Sequence, residues 1–136
     1  MDKTVIIEKF QSIDNCLKRI HDKVQNDVSN IDDIDVQDIF VLNLQRAIQT
    51  CIDVAAHIIK QRSMPIPKTL REYFSLLFDE GILSESLSAN MCNMVGFRNI
   101  AVHEYEEISV EILKSIYLEH LCDISAFQKE IAGQIS

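Results

Sequence analysis

Arg98, Asn99, His103 and Tyr105 are the residues of this chain whose types and spacing could do chemistry together. Within eight positions they bring a permanent cation, an amide, a proton carrier that titrates near neutrality and a phenol. The segment reads Gly96-Phe97-Arg98-Asn99-Ile100-Ala101-Val102-His103-Glu104-Tyr105. Upstream, Leu87, Met91, Met94 and Val95 recur at threes and fours, and the rhythm runs on through Arg98, Val102 and Tyr105. An arginine thus stands on an apolar stripe, where burial of an unpaired ion costs on the order of several kcal/mol.

On a helix turning about 100° per residue, Val102 lies about 40° from Arg98, Asn99 about 100°, His103 about 140° and Tyr105 about −20°. The projection places all of them on one half of the cylinder. Asn99 falls one turn before His103 and is expected to orient the imidazole. Gly96 projects beside His103, leaving room for another backbone or a ligand, whereas Glu104 projects to about 240°, off that face. The residues alone leave two readings open: a working site, or a buried arginine paired with a carboxylate across a dimer and a core histidine with its hydrogen bonds satisfied.

The elements that must position this segment all read as helices. Phe10, Ile13, Leu17, Ile20 and Val24 predict a first helix from about Thr4 to Asn26. An acidic connection over residues 27–35, rich in capping side chains, leads to a second long helix from Val36 to Arg62. Met64-Pro65-Ile66-Pro67 stops it, since proline lacks the amide donor and restricts the residue before it. A short third helix, about Lys68 to Glu80, ends at Gly81. Ser84 or Ser86 caps the fourth, which reaches at least Val102. A fifth starts at Ser109, with Ile112, Leu113, Ile116, Leu121, Ile124, Phe127 and Ile131 on one face. The expected fold is all-α, an antiparallel bundle of about five helices forming a single domain over 1–136.

With 47% hydrophobic residues, three Gly and two Pro in 136 residues, the composition excludes a disordered chain. No apolar run approaches the roughly 20 residues of a membrane span, and Met1-Asp2-Lys3-Thr4 begins no signal peptide. A cytoplasmic protein without membrane contact is expected. Cys16, Cys51, Cys92 and Cys122 are far apart and read as buried reduced thiols. His21, His57 and His120 are equally scattered, so neither metal nor cofactor is expected. The net charge of −8 opposes nucleic-acid binding and suits a basic partner protein. From His57 to Arg71, however, Lys60, Arg62, Lys68 and Arg71 occur without any Asp or Glu. That strip is a solvated helix end and loop or, as the best candidate available, a set of phosphate contacts to a nucleic acid.

Arg-x-x-x-x-His-x-Tyr at the end of a late helix, from Arg98 to Tyr105, resembles the HEPN superfamily and specifically the HepT-like toxins. The second helix, from Asn43-Leu44-Gln45-Arg46-Ala47 through Cys51-Ile52-Asp53 to Ala56-His57-Ile58-Ile59, is similar to the corresponding helix of that family. The resemblance implies a HEPN-like homodimer that brings two Arg-and-His motifs into one cleft and cleaves RNA without metal. It assigns Arg98 and His103 as the catalytic pair and Asn99 as a supporting group. It also implies an MntA-like nucleotidyltransferase antitoxin that transfers AMP onto Tyr105.

The side chains suit such chemistry. RNA carries its own nucleophile in the 2′-hydroxyl, so an imidazole need only move protons, a contribution of about 10²- to 10⁴-fold. A guanidinium fork matches two phosphate oxygens and the charge that grows on them. The expectation is a cyclic phosphate product and activity that survives a chelator. Glu104, Glu106, Glu107 and Glu111 crowd the motif; carboxylates favour a protonated imidazole yet repel RNA. The alternative is a non-catalytic dimeric helical module that binds a nucleotide or the nucleotidyltransferase.

Overall fold

A computed structural model of the chain describes residues 3–135. Six helices run α1 (Lys3–Val24), α2 (Ile34–Gln61), α3 (Leu70–Asp79), α4 (Glu85–His103), α5 (Val110–Glu119) and α6 (Leu121–Ile135), with 3-10 turns at Val28–Asp32 and Tyr105–Glu107. No strand occurs among the described residues, and none of their helices is long and apolar enough to cross a membrane.

The helix boundaries follow from local chemistry. Asp33 accepts from the Asp35 amide and starts α2. Past Gln61, Ser63 takes a left-handed φ of 54° and the Met64 amide reaches back to the Ile59 carbonyl, which ends α2 before Pro65. Thr69 accepts from the Glu72 amide while the Glu72 carboxylate takes the Lys68 amide, a reciprocal cap for α3. Gly81, at φ 75°, closes that helix as expected. Of the two serines, Ser84 caps α4, and Glu130 of α6 binds both the Ser84 amide and its hydroxyl.

α1 packs along α2, and α3 against α4, around a core whose largest fully buried side chains include Phe40, Phe74 and Phe127. The Phe74 and Phe127 rings meet edge to face at 5.6 Å, joining α3 to α6. Burying each such ring contributes roughly 1.5–3 kcal/mol. Gln128 of α6 donates to the Phe10 carbonyl and Asp14 carboxylate of α1, and Lys114 of α5 pairs with Asp32 at 2.8 Å.

Three expectations are corrected. The single fifth helix is two, broken at His120, whose carbonyl receives the Asp123 amide and whose ring lies 3.3 Å from the Asp123 carboxylate. The break lets α6 turn Leu121, Ile124, Phe127 and Ile131 inward while Ile112 and Leu118 stay exposed on α5. The apolar stripe of α4 leaves the core at its end: Ala101 is buried, whereas Val102 is 40% exposed. The cysteines are free, but Cys16 and Cys51 alone are buried; Cys92 is half-buried and Cys122 exposed on the outer side of α6.

Candidate active site

The end of α4 is where the polar motif sits. The helix stops at His103, Glu104 leaves the helical region at φ −142° and ψ 49°, and Tyr105 begins a 3-10 turn. The projected angles for Glu104 and Tyr105 therefore do not apply. Glu104, Glu106 and Glu107 all line the same cavity as His103 and Tyr105, contrary to the expectation for Glu104. This cavity measures about 940 Å³ and extends to His120 and Gly96.

Arg98 lies elsewhere. It lines a second, smaller depression of about 370 Å³ with Arg19 of α1 and Arg46 of α2, and no carboxylate is among the residues forming it. Asn43, buried on α2, accepts from Arg19 at 3.4 Å and donates to the Ile39 carbonyl, fixing that guanidinium from below. The charge of Arg19 and Arg46 reaches the Cys16 thiol in the same depression, although burial outweighs it and pushes the thiol up. Within one chain, then, the fixed cation and the proton carrier five residues later open into different hollows.

Asn99 accepts from Arg98 Nη1 at 3.2 Å. The amide orients the guanidinium, in place of the imidazole expected to be its partner. The space beside Gly96 is also taken: a Cβ there would stand 2.7 Å from Arg71 Nη2. The absent side chain lets the arginine of α3 lie across α4, on the same side of the helix as His103. Of the four basic residues in the strip, Arg71 reaches over Gly96 of α4, while Lys60, Arg62 and Lys68 are exposed on the end of α2 and the connection that follows.

Tyr105 is 45% exposed, and its hydroxyl donates to the Asp38 carboxylate on α2. Partial burial, then that hydrogen bond and the charge of Asp38, push the phenol up to about 12. Sequence reasoning passed over Asp38, Arg19 and Arg46. Asp38, Leu42, Arg46 and Gln49 recur at fours and a three on α2, a signal that was legible; nothing in the sequence ties Arg19 to them.

An all-helical bundle whose fourth helix ends in this Arg-to-Tyr segment defines a domain of the HEPN type. The profile described as ribonuclease HepT-like matches residues 13–131. The chain is 41% identical over 124 residues to the mRNA nuclease HepT of Shewanella oneidensis, covering 90% of this chain and 92% of that protein. It superposes with a TM-score of 0.91 on a chain from a toxin–antitoxin crystal structure with AMP-PNP, at 38% identity over 96% of this chain and 98% of that one. On the tri-AMPylated Shewanella oneidensis HEPN toxin in complex with MNT antitoxin the TM-score is 0.89, at 38% identity over 95% and 97% of the two chains. This chain belongs to the HepT-like ribonuclease family.

Proposed function

We propose that the chain is the toxin of a toxin–antitoxin pair, an RNA endonuclease working without metal in the cytoplasm and silenced when a nucleotidyltransferase antitoxin transfers AMP onto Tyr105. The observation that carries the nuclease reading is the arginine-lined, carboxylate-free depression around Arg98, on the same helix that ends at the exposed His103. Arg98 binds the scissile phosphate and the charge that develops on it, with Asn99 holding the fork in place. His103 moves the proton between the 2′-hydroxyl, the leaving 5′-oxygen and solvent. Lys60, Arg62, Lys68 and Arg71 contact phosphates further along the RNA.

A homodimer completes the site. Arg98 and His103 of one chain face separate hollows, so a second copy turned about a two-fold axis supplies the imidazole that the arginine depression lacks. Leu42 and Val102, both exposed, lie one turn from Asp38 on α2 and one turn from Arg98 on α4, and give this face an apolar element for self-association. Silencing follows from placing a bulky anion on the exposed phenol beside His103, where it keeps that imidazole from reaching the substrate phosphate.

The test compares wild type, Arg98→Ala and His103→Ala for RNA cleavage in the presence of EDTA, with the oligomeric state followed by sedimentation. Each folded variant loses about 10³-fold or more in rate, and wild type remains active and dimeric. Cleavage retained by both variants, or abolished by the chelator, overturns the reading in favour of a binding module or a metal-dependent site.

A further inference from the structure

We infer that Asp38 is the general base for adenylylation of Tyr105. The inference rests on the reading of Tyr105 as the AMP acceptor and names the group that receives its proton. Among the described residues, the hydrogen-bond partner of the phenol is the carboxylate of Asp38, 67 positions away in sequence and presented from the second turn of α2. His103, Glu104, Glu106, Glu107 and His120 line the same cavity as Tyr105 without a hydrogen bond to the phenol oxygen.

An ordinary phenol attacks phosphorus poorly because so little of it is ionised near neutral pH. Here the obstacle is larger, since burial and Asp38 push ionisation up to about 12, leaving roughly one part in 10⁵ as phenolate at pH 7. Partial burial, the hydrogen bond to Asp38 and the negative charge of that carboxylate together make the free phenolate unfavourable. Transfer of the proton to Asp38 while the new bond forms avoids that state, because the carboxylate becomes neutral as negative charge passes to the phosphate. The same contact that suppresses the phenolate therefore favours the concerted route.

The step balances as follows. Tyr105 Oη forms a bond to the α-phosphorus of the ATP presented by the antitoxin. The bond from that phosphorus to the α–β bridging oxygen breaks, and magnesium pyrophosphate leaves with the electron pair. The phenolic proton passes to the Asp38 carboxylate and from there to water. The product is a phosphodiester between Tyr105 and AMP, with nothing oxidised or reduced. The phenol is exposed enough for a nucleotide to approach while its hydrogen remains on Asp38.

The experiment uses the full chain with its antitoxin and ATP, following AMP incorporation by intact mass across a pH series for wild type, Asp38→Asn, Asp38→Glu and Tyr105→Phe. Asp38→Asn slows transfer by about 10²-fold or more, and Asp38→Glu recovers part of the rate. With the base gone, the remaining rate rises tenfold per pH unit, because phenolate has become the nucleophile, whereas wild type is flat across neutral pH. The phenolate absorbance of Tyr105 also titrates at lower pH in Asp38→Asn, since the adjacent negative charge is lost. Thermal unfolding and antitoxin affinity, measured on the same samples, keep a folding defect separate. Transfer to Asp38→Asn at the wild-type rate and with the wild-type pH profile overturns the inference. AMP incorporation into Tyr105→Phe at the wild-type rate instead overturns the assignment of the acceptor tyrosine.

Discussion

The two hollows beside α4 differ in almost every property that matters to a phosphate. The one at Arg98 is small and walled by helices α1 and α2, and its charged side chains are all guanidinium groups. The other, at His103, is more than twice as large and rimmed by Glu104, Glu106 and Glu107. A polyanion is attracted to the first and repelled by the second. The contrast shows how a chain of net charge −8 can present a locally cationic hollow: the guanidinium groups are gathered there, and acidic groups lie elsewhere, including beside the imidazole. On the proposed roles it also separates binding from proton transfer, because the guanidinium groups and the imidazole open into different hollows within one protomer.

Deleting the basic wall is the strongest way to break this comparison. Arg46→Ala and Arg19→Ala are each expected to weaken RNA binding by about tenfold and the pair by about a hundredfold, with the salt dependence flattened by about 0.7 per removed contact on single-stranded RNA. Binding isotherms at several salt concentrations check this, and an unchanged slope places the RNA elsewhere. Neutralising the acidic rim has a smaller effect of opposite sign. Glu106→Gln with Glu107→Gln should tighten RNA binding by about threefold at low salt, a gain that disappears as salt screens the field. Equal affinity at low salt would mean that RNA does not pass this rim.

The smallest effect concerns Gly96. A methyl group there meets only the far end of the flexible Arg71 side chain, so the helix gains about 0.5–1 kcal/mol of propensity while the guanidinium moves aside. Gly96→Ala is expected to raise the unfolding midpoint slightly and to lower RNA affinity by no more than about threefold. Calorimetry and the same isotherms separate the two, and a fall in stability would show that Arg71 cannot give way.

How much of this was legible in the sequence depended on whether the signal was local. The proline stop after α2, Gly81, the serine cap of α4 and the apolar face of α1 are set by neighbours within a few positions, and they lie where the pattern put them; on α2 the apolar run from Ile48 to Ile59 is buried, whereas Leu42, expected on the same face, is exposed. The ribonuclease family was legible too, from the Arg98-to-Tyr105 spacing and the second helix. The end of α4 was not: Val102 and Tyr105 fit the apolar rhythm, but Ala101 took the core position and the helix stopped two residues short of the tyrosine. His120 likewise interrupts a continuous apolar face that gave no warning, because the turn there depends on Asp123 and on the core into which α6 folds. Arg19 and Arg46 stand 79 and 52 positions before Arg98, and only the packing of α1, α2 and α4 unites them.

The three-residue 3-10 turn at Tyr105 has a mechanical consequence for control. Whatever is attached to that phenol hangs from a short hinge past the last helical residue, so loading it need not unwind or rotate the rod that carries Arg98 and Asn99. The off state can then be a folded enzyme with its mouth stopped, ready to resume once the plug is hydrolysed, with no refolding on the way back.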